Sequence, residues 1–298
     1  MTTNNIIEEF KKLYPGKNLV KFPLLTDTED FGDFIFVEEN SQICTELLLT
    51  DTYFYDHLVE ANGVFFKNVV DLGGHIGSFT VPLSLRHPKT NFYVVEQDVK
   101  NYKAILLNSS LSSNNIIPFN TIIKGKRNPV SVESDDENSG GHKVIFAEDN
   151  NSDFKEKGMT LKELMDLNNI DQIDFLKMDI EGSEYDVLEK AYEDEIMERI
   201  SIISMEYHVN PARGRNLETI FKYLDSYDSI TLHRLTERKP GVPNSGGYHL
   251  LAYRTKSTIG DRYMKTLGFE EKNKYFKSIR DAIRANGVTL EVIKADDN

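Results

Sequence analysis

Two runs in this sequence hold residues that could do chemistry, and each reads as a strand end turning into a helix. The first is Val69-Val70-Asp71-Leu72-Gly73-Gly74-His75-Ile76-Gly77-Ser78. Its apolar, β-branched start suits a strand covered on both faces. Gly73, Gly74 and Gly77 then permit a sharp turn and let backbone come close to a ligand. Ser78 or Gly77 is placed to cap the next helix, whose free N–H groups face the same crevice. The second run is Ile173-Asp174-Phe175-Leu176-Lys177-Met178-Asp179-Ile180-Glu181-Gly182-Ser183-Glu184. It sets Asp179 and Glu181 at the carboxyl end of a central strand, where open α/β sheets bind ligands. Carboxylates gathered there can rise in pKa or share a metal.

The spacing of the first run narrows the ligand. Gly73 to Gly77 is G-x-x-x-G, not the G-x-G-x-x-G of a dinucleotide turn, and no lysine follows as a phosphate loop requires. Asp71 at the strand end repels a pyrophosphate and attracts an ammonium. That favours S-adenosylmethionine, with Asp71 holding the amine of its methionine end directly or through water. Asn91 to Glu96 reads as the next strand. A carboxylate at that strand end accepts ribose hydroxyls in a doubly wound fold, and Glu96 fits the role.

Displacement at a sulfonium is mainly a matter of positioning. A hydroxyl acceptor also needs a general base within hydrogen-bond reach. His208 is the first candidate, because it lies just past a strand end beside Glu206 and an imidazole titrates near neutrality. Glu181 is second and His249 third. A divalent metal could instead acidify the hydroxyl, with Asp179, Glu181, Glu206 and His208 as possible ligands, although no compact motif unites them.

The elements around these runs follow from periodicity. Ile6, Ile7, Phe10 and Leu13 predict a helix ended by Pro15-Gly16, and Phe31 to Val37 predicts a strand. Residues 67–123 alternate strand and helix, with helices closed by His87-Pro88 and spanning about Val99 to Leu111, the latter with Tyr102, Ile105, Leu106 and Asn108 near one face. Pro82 falls in the first of these helices. Val130 to Val132 and Lys143 to Phe146 predict a hairpin around the acidic tip Glu133 to His142. Thr160-Leu161-Lys162-Glu163 has the form of a capping box. Ile200 to Met205 is a further strand, Leu217 to Leu224 a helix, and Ile230 to Leu235 with Tyr248 to Tyr253 an antiparallel pair at one edge. Tyr53 and Phe54 read as core aromatics that could also line the crevice.

Val69 to Thr80, the strand ending Glu96-Gln97-Asp98, Leu107-Asn108 with Asn115 beyond, and above all Ile173 to Glu184 resemble the FkbM family of class I S-adenosylmethionine-dependent methyltransferases. The glycine turn is common to class I methyltransferases, whereas D-x-L-K-x-D-x-E-G-x-E is particular to FkbM proteins. The resemblance spans residues 66–235. It implies an α/β fold, a doubly wound Rossmann-like sheet that is mostly parallel with an antiparallel edge strand. It implies methyl transfer to a hydroxyl of a sugar, glycan or other small metabolite. Cofactor contacts then fall to Asp71, Gly73, Gly74, Gly77, Glu96, Gln97 and Asp179, and the active site holds Asp179 and Glu181. Gly74-His75 stands where the family often has Ala-Asn, and residues 126–158 are long for it. The expected organisation is an N-terminal cover over 1–65, the cofactor domain over 66–257 with an insertion at 126–158, and a helical extension over 258–298.

Composition excludes several alternatives. The chain of 298 residues carries a formal charge of −13, which argues against a nucleic-acid partner, since phosphates need a basic surface. No basic tail serves an anionic membrane, no apolar stretch reaches the roughly 18 residues of a span, and Met1 to Glu9 lacks a signal-peptide pattern. A single cysteine, Cys44, allows no internal disulfide and fits a reducing, cytoplasmic setting. Two other readings compete: a nucleoside-cofactor oxidoreductase, which Asp71 and the absent G-x-G-x-x-G disfavour, and a non-catalytic binding module, which the presence of both acidic runs disfavours.

Overall fold

The two chemistry-bearing runs become adjacent central strands of a seven-stranded sheet. The structure, a computed structural model, describes residues 3–25, 30–41, 44, 47–48, 51–62, 65–111, 115–125, 129–133, 143–146, 158–208, 217–234, 247–254 and 291–294. Helix α1 (Thr3–Leu13) precedes a hairpin of β1 (Leu19–Leu25) and β2 (Asp30–Val37), and α2 (Tyr55–Asn62) leads to the main sheet. The alternating unit is β3 (Asn68–Leu72), α3 (Thr80–Arg86), β4 (Asn91–Glu96), α4 (Val99–Ser109) and β5 (Ile116–Asn120). A separate hairpin follows, β6 (Pro129–Glu133) with β7 (Lys143–Phe146). Then come α5 (Leu161–Leu167), β8 (Ile173–Met178), α6 (Glu184–Glu193), β9 (Ile200–His208), α7 (Leu217–Tyr223), β10 (Ser229–Arg234), β11 (Gly247–Tyr253) and β12 (Glu291–Ile293).

The order across the large sheet is β10-β11-β9-β8-β3-β4-β5. Strands β5, β4, β3, β8 and β9 are mutually parallel, and β11 runs antiparallel to both β9 and β10. The two late strands thus pair at one edge as expected, with β11 reversed and β10 outermost. From β3 the chain first builds outward through β4 and β5, then returns to build β8 and β9 on the other side. The boundary between β3 and β8 is therefore the topological switch point, where such sheets bind ligands.

Both faces of the sheet are buried. Along β4, Phe92 and Val94 enter one core with Ala104 and Ile105 of α4, while Tyr93 and Val95 enter the other with Leu161, Leu164 and Leu188. This explains why the central strands read as continuous apolar runs rather than alternating ones. Helix α1 buries Ile6, Ile7 and Phe10, and the chain leaves it through Gly16 at φ 74°, a left-handed residue that costs glycine little. Strands β12, β1 and β2 form a small antiparallel sheet, which brings residues 291–293 beside the N-terminal hairpin.

Some local expectations need correction. Helix α3 starts at Thr80 after Phe79, which makes no side-chain cap, so neither Ser78 nor Gly77 caps it. The Ser78 hydroxyl instead faces the Cys44 sulfur at 3.7 Å. Pro82 consequently lies in the first helical turn, where a missing N–H leaves little unsatisfied. In α4 the buried face is Asn101, Ala104, Ile105 and Asn108, while Leu106 is 45% exposed. The Thr160–Glu163 capping box is complete in both directions. The acidic hairpin tip at 134–142, the loop at 235–246 and the helices expected over 260–286 lie outside the described residues. No described helix is long and apolar enough to cross a membrane.

Candidate active site

The glycine turn is built by close contact with its neighbours. Gly73 and Gly74 both donate their N–H groups to the Val95 carbonyl, each at 3.0 Å. Gly73 has φ 81°, and a Cβ there would sit 1.9 Å from the Asp179 carbonyl oxygen. A Cβ on Gly74 would meet the Val94 side chain at 2.2 Å. Gly77, at φ 90°, donates its N–H to the Gly74 carbonyl and closes the turn. These glycines are required by the protein's own packing before any ligand is considered.

The carboxylate of Glu96 is held beside this turn. Its Oε2 accepts the N–H of His75 and its Oε1 the N–H of Asp98, both at 2.8 Å. Burial raises its pKa to about 7, against the opposing pull of those two N–H groups. Gln97 lies one residue past the strand, and its carbonyl accepts the side-chain N–H of Asn120 at 3.1 Å.

Asp71, expected to hold the amine of the methionine end directly or through water, is tied into the sheet by two protein partners. It is fully buried, with Oδ2 accepting the Thr80 hydroxyl at 2.6 Å and Oδ1 3.1 Å from the Lys177 ammonium. Lys177 also donates to the Gly73 carbonyl at 2.6 Å and lies 5.2 Å from the centre of the Tyr53 ring. Burial pushes the Lys177 pKa down, but Asp71 and then Asp179 outweigh it and leave it raised.

The second acidic run folds against the first. Asp179 donates its N–H to the Leu72 carbonyl at 3.1 Å and accepts the Tyr53 hydroxyl on Oδ2 at 2.8 Å. Glu181 and Gly182 follow at φ 52° and 93°. Glu184 braces this turn from below, its Oε1 accepting the N–H groups of Ile180 and Gly182 at 3.1 Å each. The same oxygen accepts Nδ1–H of His208 at 3.0 Å. The other ring nitrogen of His208 lies 3.6 Å from Glu181 and 3.9 Å from Glu206. Burial pushes the His208 pKa down, yet Glu184, Asp179 and Glu181 together hold it up at about 10. The surrounding carboxylates thus favour the charged form of the imidazole. Burial and the charge of Asp179 raise Glu206 to about 7, with His208 opposing.

His249 lies deeper. It is 1% exposed, its Nε2 is 2.7 Å from the Ser204 hydroxyl, and that hydroxyl donates to the Tyr53 carbonyl at 2.9 Å. Ser204 has one hydrogen to give, so its oxygen accepts from His249. His249 therefore supports Tyr53 from behind, with its ring 5.6 Å from that of Tyr53 and 4.9 Å from that of Phe54.

The structure thus brings together Asp71, Gly73, Asp179, Glu181, Glu206 and His208 at the switch point, with Glu96 across the glycine turn. Asp179, Glu206 and His208 each offer a ligand atom, all within 4.8 Å of one another. Lys177, Thr80 and Glu184 had no assigned role in the sequence. The available signal was a lysine inside an otherwise apolar strand, since such a residue is rarely buried unpaired. Tyr53 is buried in the core as expected, and its hydroxyl reaches Asp179.

A seven-stranded sheet with one reversed strand and a glycine turn after its central strand defines the class I S-adenosylmethionine-dependent methyltransferase fold. The family model described as the methyltransferase FkbM domain matches residues 71–231, more than half of the chain, and the chain belongs to that family. No curated protein sequence matches it. Among solved structures, the N-terminal domain of EvdMO1 with SAH bound is 12% identical over 85% of this chain and 98% of that one, with a TM-score of 0.43. Precorrin-6y C5,15-methyltransferase from Geobacter metallireducens GS-15 is 9% identical over 67% and 86%, with a TM-score of 0.40. TYW2 of M. jannaschii in complex with AdoMet is 17% identical over 74% and 82%, with a TM-score of 0.39. Likeness at this level is slight, and the family assignment rests on the domain match.

Proposed function

We propose that this chain transfers the methyl group of S-adenosylmethionine to a hydroxyl of an uncharged, hydroxyl-rich small acceptor such as a sugar, a glycan unit or a similar metabolite. The observation that carries the reading is the convergence of Asp179, Glu206 and His208 within 4.8 Å of one another, with the backbone of Asp179 pressed against Gly73. The residues at the turn fit the cofactor. Both Glu96 oxygens are aimed by backbone N–H groups and keep lone pairs for two ribose hydroxyls. The carboxylate of Asp179 gives the cationic methionine end a countercharge. Asp71 acts through Lys177 and Thr80 by holding the turn in shape.

When bound, S-adenosylmethionine would supply an electrophilic methyl carbon, its sulfur retaining the bonding pair to give S-adenosylhomocysteine. The acceptor oxygen forms the new bond to carbon, and its proton passes to the Glu181 carboxylate, a quarter of whose side chain is open to solvent beside His208. The acidic surround of Asp179, Glu181 and Glu206 repels phosphorylated acceptors and the backbone of nucleic acids. Calorimetric titration with S-adenosylhomocysteine tests the cofactor half: micromolar binding to the wild type, weakened at least tenfold in Glu96→Ala, is expected. Methyl-labelled cofactor with a panel of neutral sugars and hydroxylated metabolites tests the acceptor half. Absence of cofactor binding to the intact chain would sink the proposal.

A further inference from the structure

We propose that Asp179, Glu206 and His208 hold a divalent cation of the manganese or magnesium class, placed to receive the acceptor hydroxyl; that role rests on the methyltransferase reading above. Asp179 follows the end of β8, and Glu206 and His208 stand two apart at the end of the adjacent β9. Residues two apart on a strand point to the same face. Their candidate ligand atoms all lie within 4.8 Å of one another. Metal–ligand bonds of about 2.0–2.6 Å put ligand atoms about 3–5 Å apart around one ion, so modest side-chain rotation closes the shell.

The histidine is oriented for this task. Its Nδ1–H is held by Glu184 at 3.0 Å, which leaves Nε2 as the nitrogen turned toward Glu206 and Glu181. A metal-binding histidine characteristically gives its other N–H to a carboxylate, which fixes the tautomer and the ring plane. Glu184 is itself fixed, since it is fully buried and bound to the backbone of Ile180 and Gly182. Its Oε2 is buried with no hydrogen-bond partner among the described residues.

The charge balance points the same way. Four carboxylates, Asp179, Glu181, Glu184 and Glu206, surround His208, and the nearby Lys177 ammonium is committed to Asp71 and Gly73. Two carboxylates and one imidazole are hard-to-borderline donors, which suit manganese or magnesium rather than soft-metal sites. The remaining positions on the ion are left for water and for the acceptor oxygen, whose O–H is acidified on coordination.

Manganese(II) alone, titrated into the full chain and followed by loss of the free-ion electron paramagnetic resonance signal, tests the site. One ion per chain is expected. His208→Ala and Glu206→Gln should each weaken uptake at least tenfold, and Glu184→Gln by about tenfold or more. Thermal melts establish that each variant is folded, and having three variants guards against the loss of one. No uptake by the wild type, or equal uptake by folded His208→Ala and Glu206→Gln, overturns the proposal. S-adenosylhomocysteine titrated into the same samples separates the two readings. Cofactor bound without manganese sinks the ion site alone, and manganese bound without cofactor sinks the methyltransferase reading while the ion site stands.

Discussion

Asp71 of β3 and Lys177 of β8 face each other directly across the parallel ladder, and their charges meet at 3.1 Å with both side chains all but closed to solvent. The lysine also ties down the Gly73 carbonyl at 2.6 Å, so one buried pair joins the central strands to the turn that follows. Removing one member of such a pair leaves an uncompensated buried charge and costs about 3–5 kcal/mol. Lys177→Met should therefore lower the unfolding free energy extrapolated from urea melts by that amount, and adding Asp71→Asn should restore part of it. If the single variant melts within about 1 kcal/mol of wild type, the pair is not what holds the turn.

A second prediction concerns Gly73. Its φ of 81° disfavours any side chain, and a Cβ would overlap the Asp179 carbonyl at 1.9 Å. Backbone must move, so the loss belongs to the strained-backbone class, about 1–3 kcal/mol or more. Because the atom displaced belongs to Asp179, Gly73→Ala should weaken S-adenosylhomocysteine binding more than tenfold in calorimetry even where the protein stays folded. A folded variant with wild-type affinity would show that Asp179 does not depend on this contact.

How much of this could be read beforehand differs by feature. The central strands, the glycine turn and the Thr160 capping box were legible because each follows from local pattern: continuous apolar runs, glycine spacing and a Thr-x-x-Glu step. The helix start at Thr80 was not, because Ser78 turns its hydroxyl toward Cys44, a residue remote in sequence. The pairing of Asp71 with Lys177 was not legible, since the lysine comes from a strand that joins the sheet only after a long excursion. Likewise no compact ligand motif unites Asp179, Glu206 and His208 along the chain. Their meeting depends on β8 and β9 being parallel neighbours, which is a fact of topology rather than of spacing.

The pH dependence of the apo protein should carry the mark of Glu96. Its folded pKa of about 7 lies above the ordinary carboxyl value of 4.5 because of burial. The native state thus holds a proton that the unfolded chain gives up, and the stability this contributes is complete below about 4.5 and lost as pH rises through about 7. The expected loss between pH 5 and 8 is of order 2–3 kcal/mol, seen as the difference between wild type and Glu96→Gln in denaturant melts. Ribose hydroxyls favour the charged carboxylate, so S-adenosylhomocysteine binding should tighten over the same interval. Identical pH profiles for wild type and Glu96→Gln would remove Glu96 from both roles.

The last prediction links the N-terminal hairpin to the cofactor turn through Asn108. This fully buried side chain accepts the Ile35 N–H and donates to the carbonyls of Ile35 and Ile76, each at 3.1 Å. Ile35 belongs to β2 and Ile76 to the glycine turn, so one amide closes the edge of the small sheet and steadies the residue before Gly77. A buried backbone group left without its partner costs about 1–3 kcal/mol. Asn108→Leu strands three of them but permits some relaxation, and a loss of about 2–4 kcal/mol is expected. Its separate signature is faster amide exchange at both Ile35 and Gly77 relative to the strands of the central sheet. Exchange that quickens only at Ile35 would confine Asn108 to the hairpin and leave the turn to be held by Val95 and Lys177.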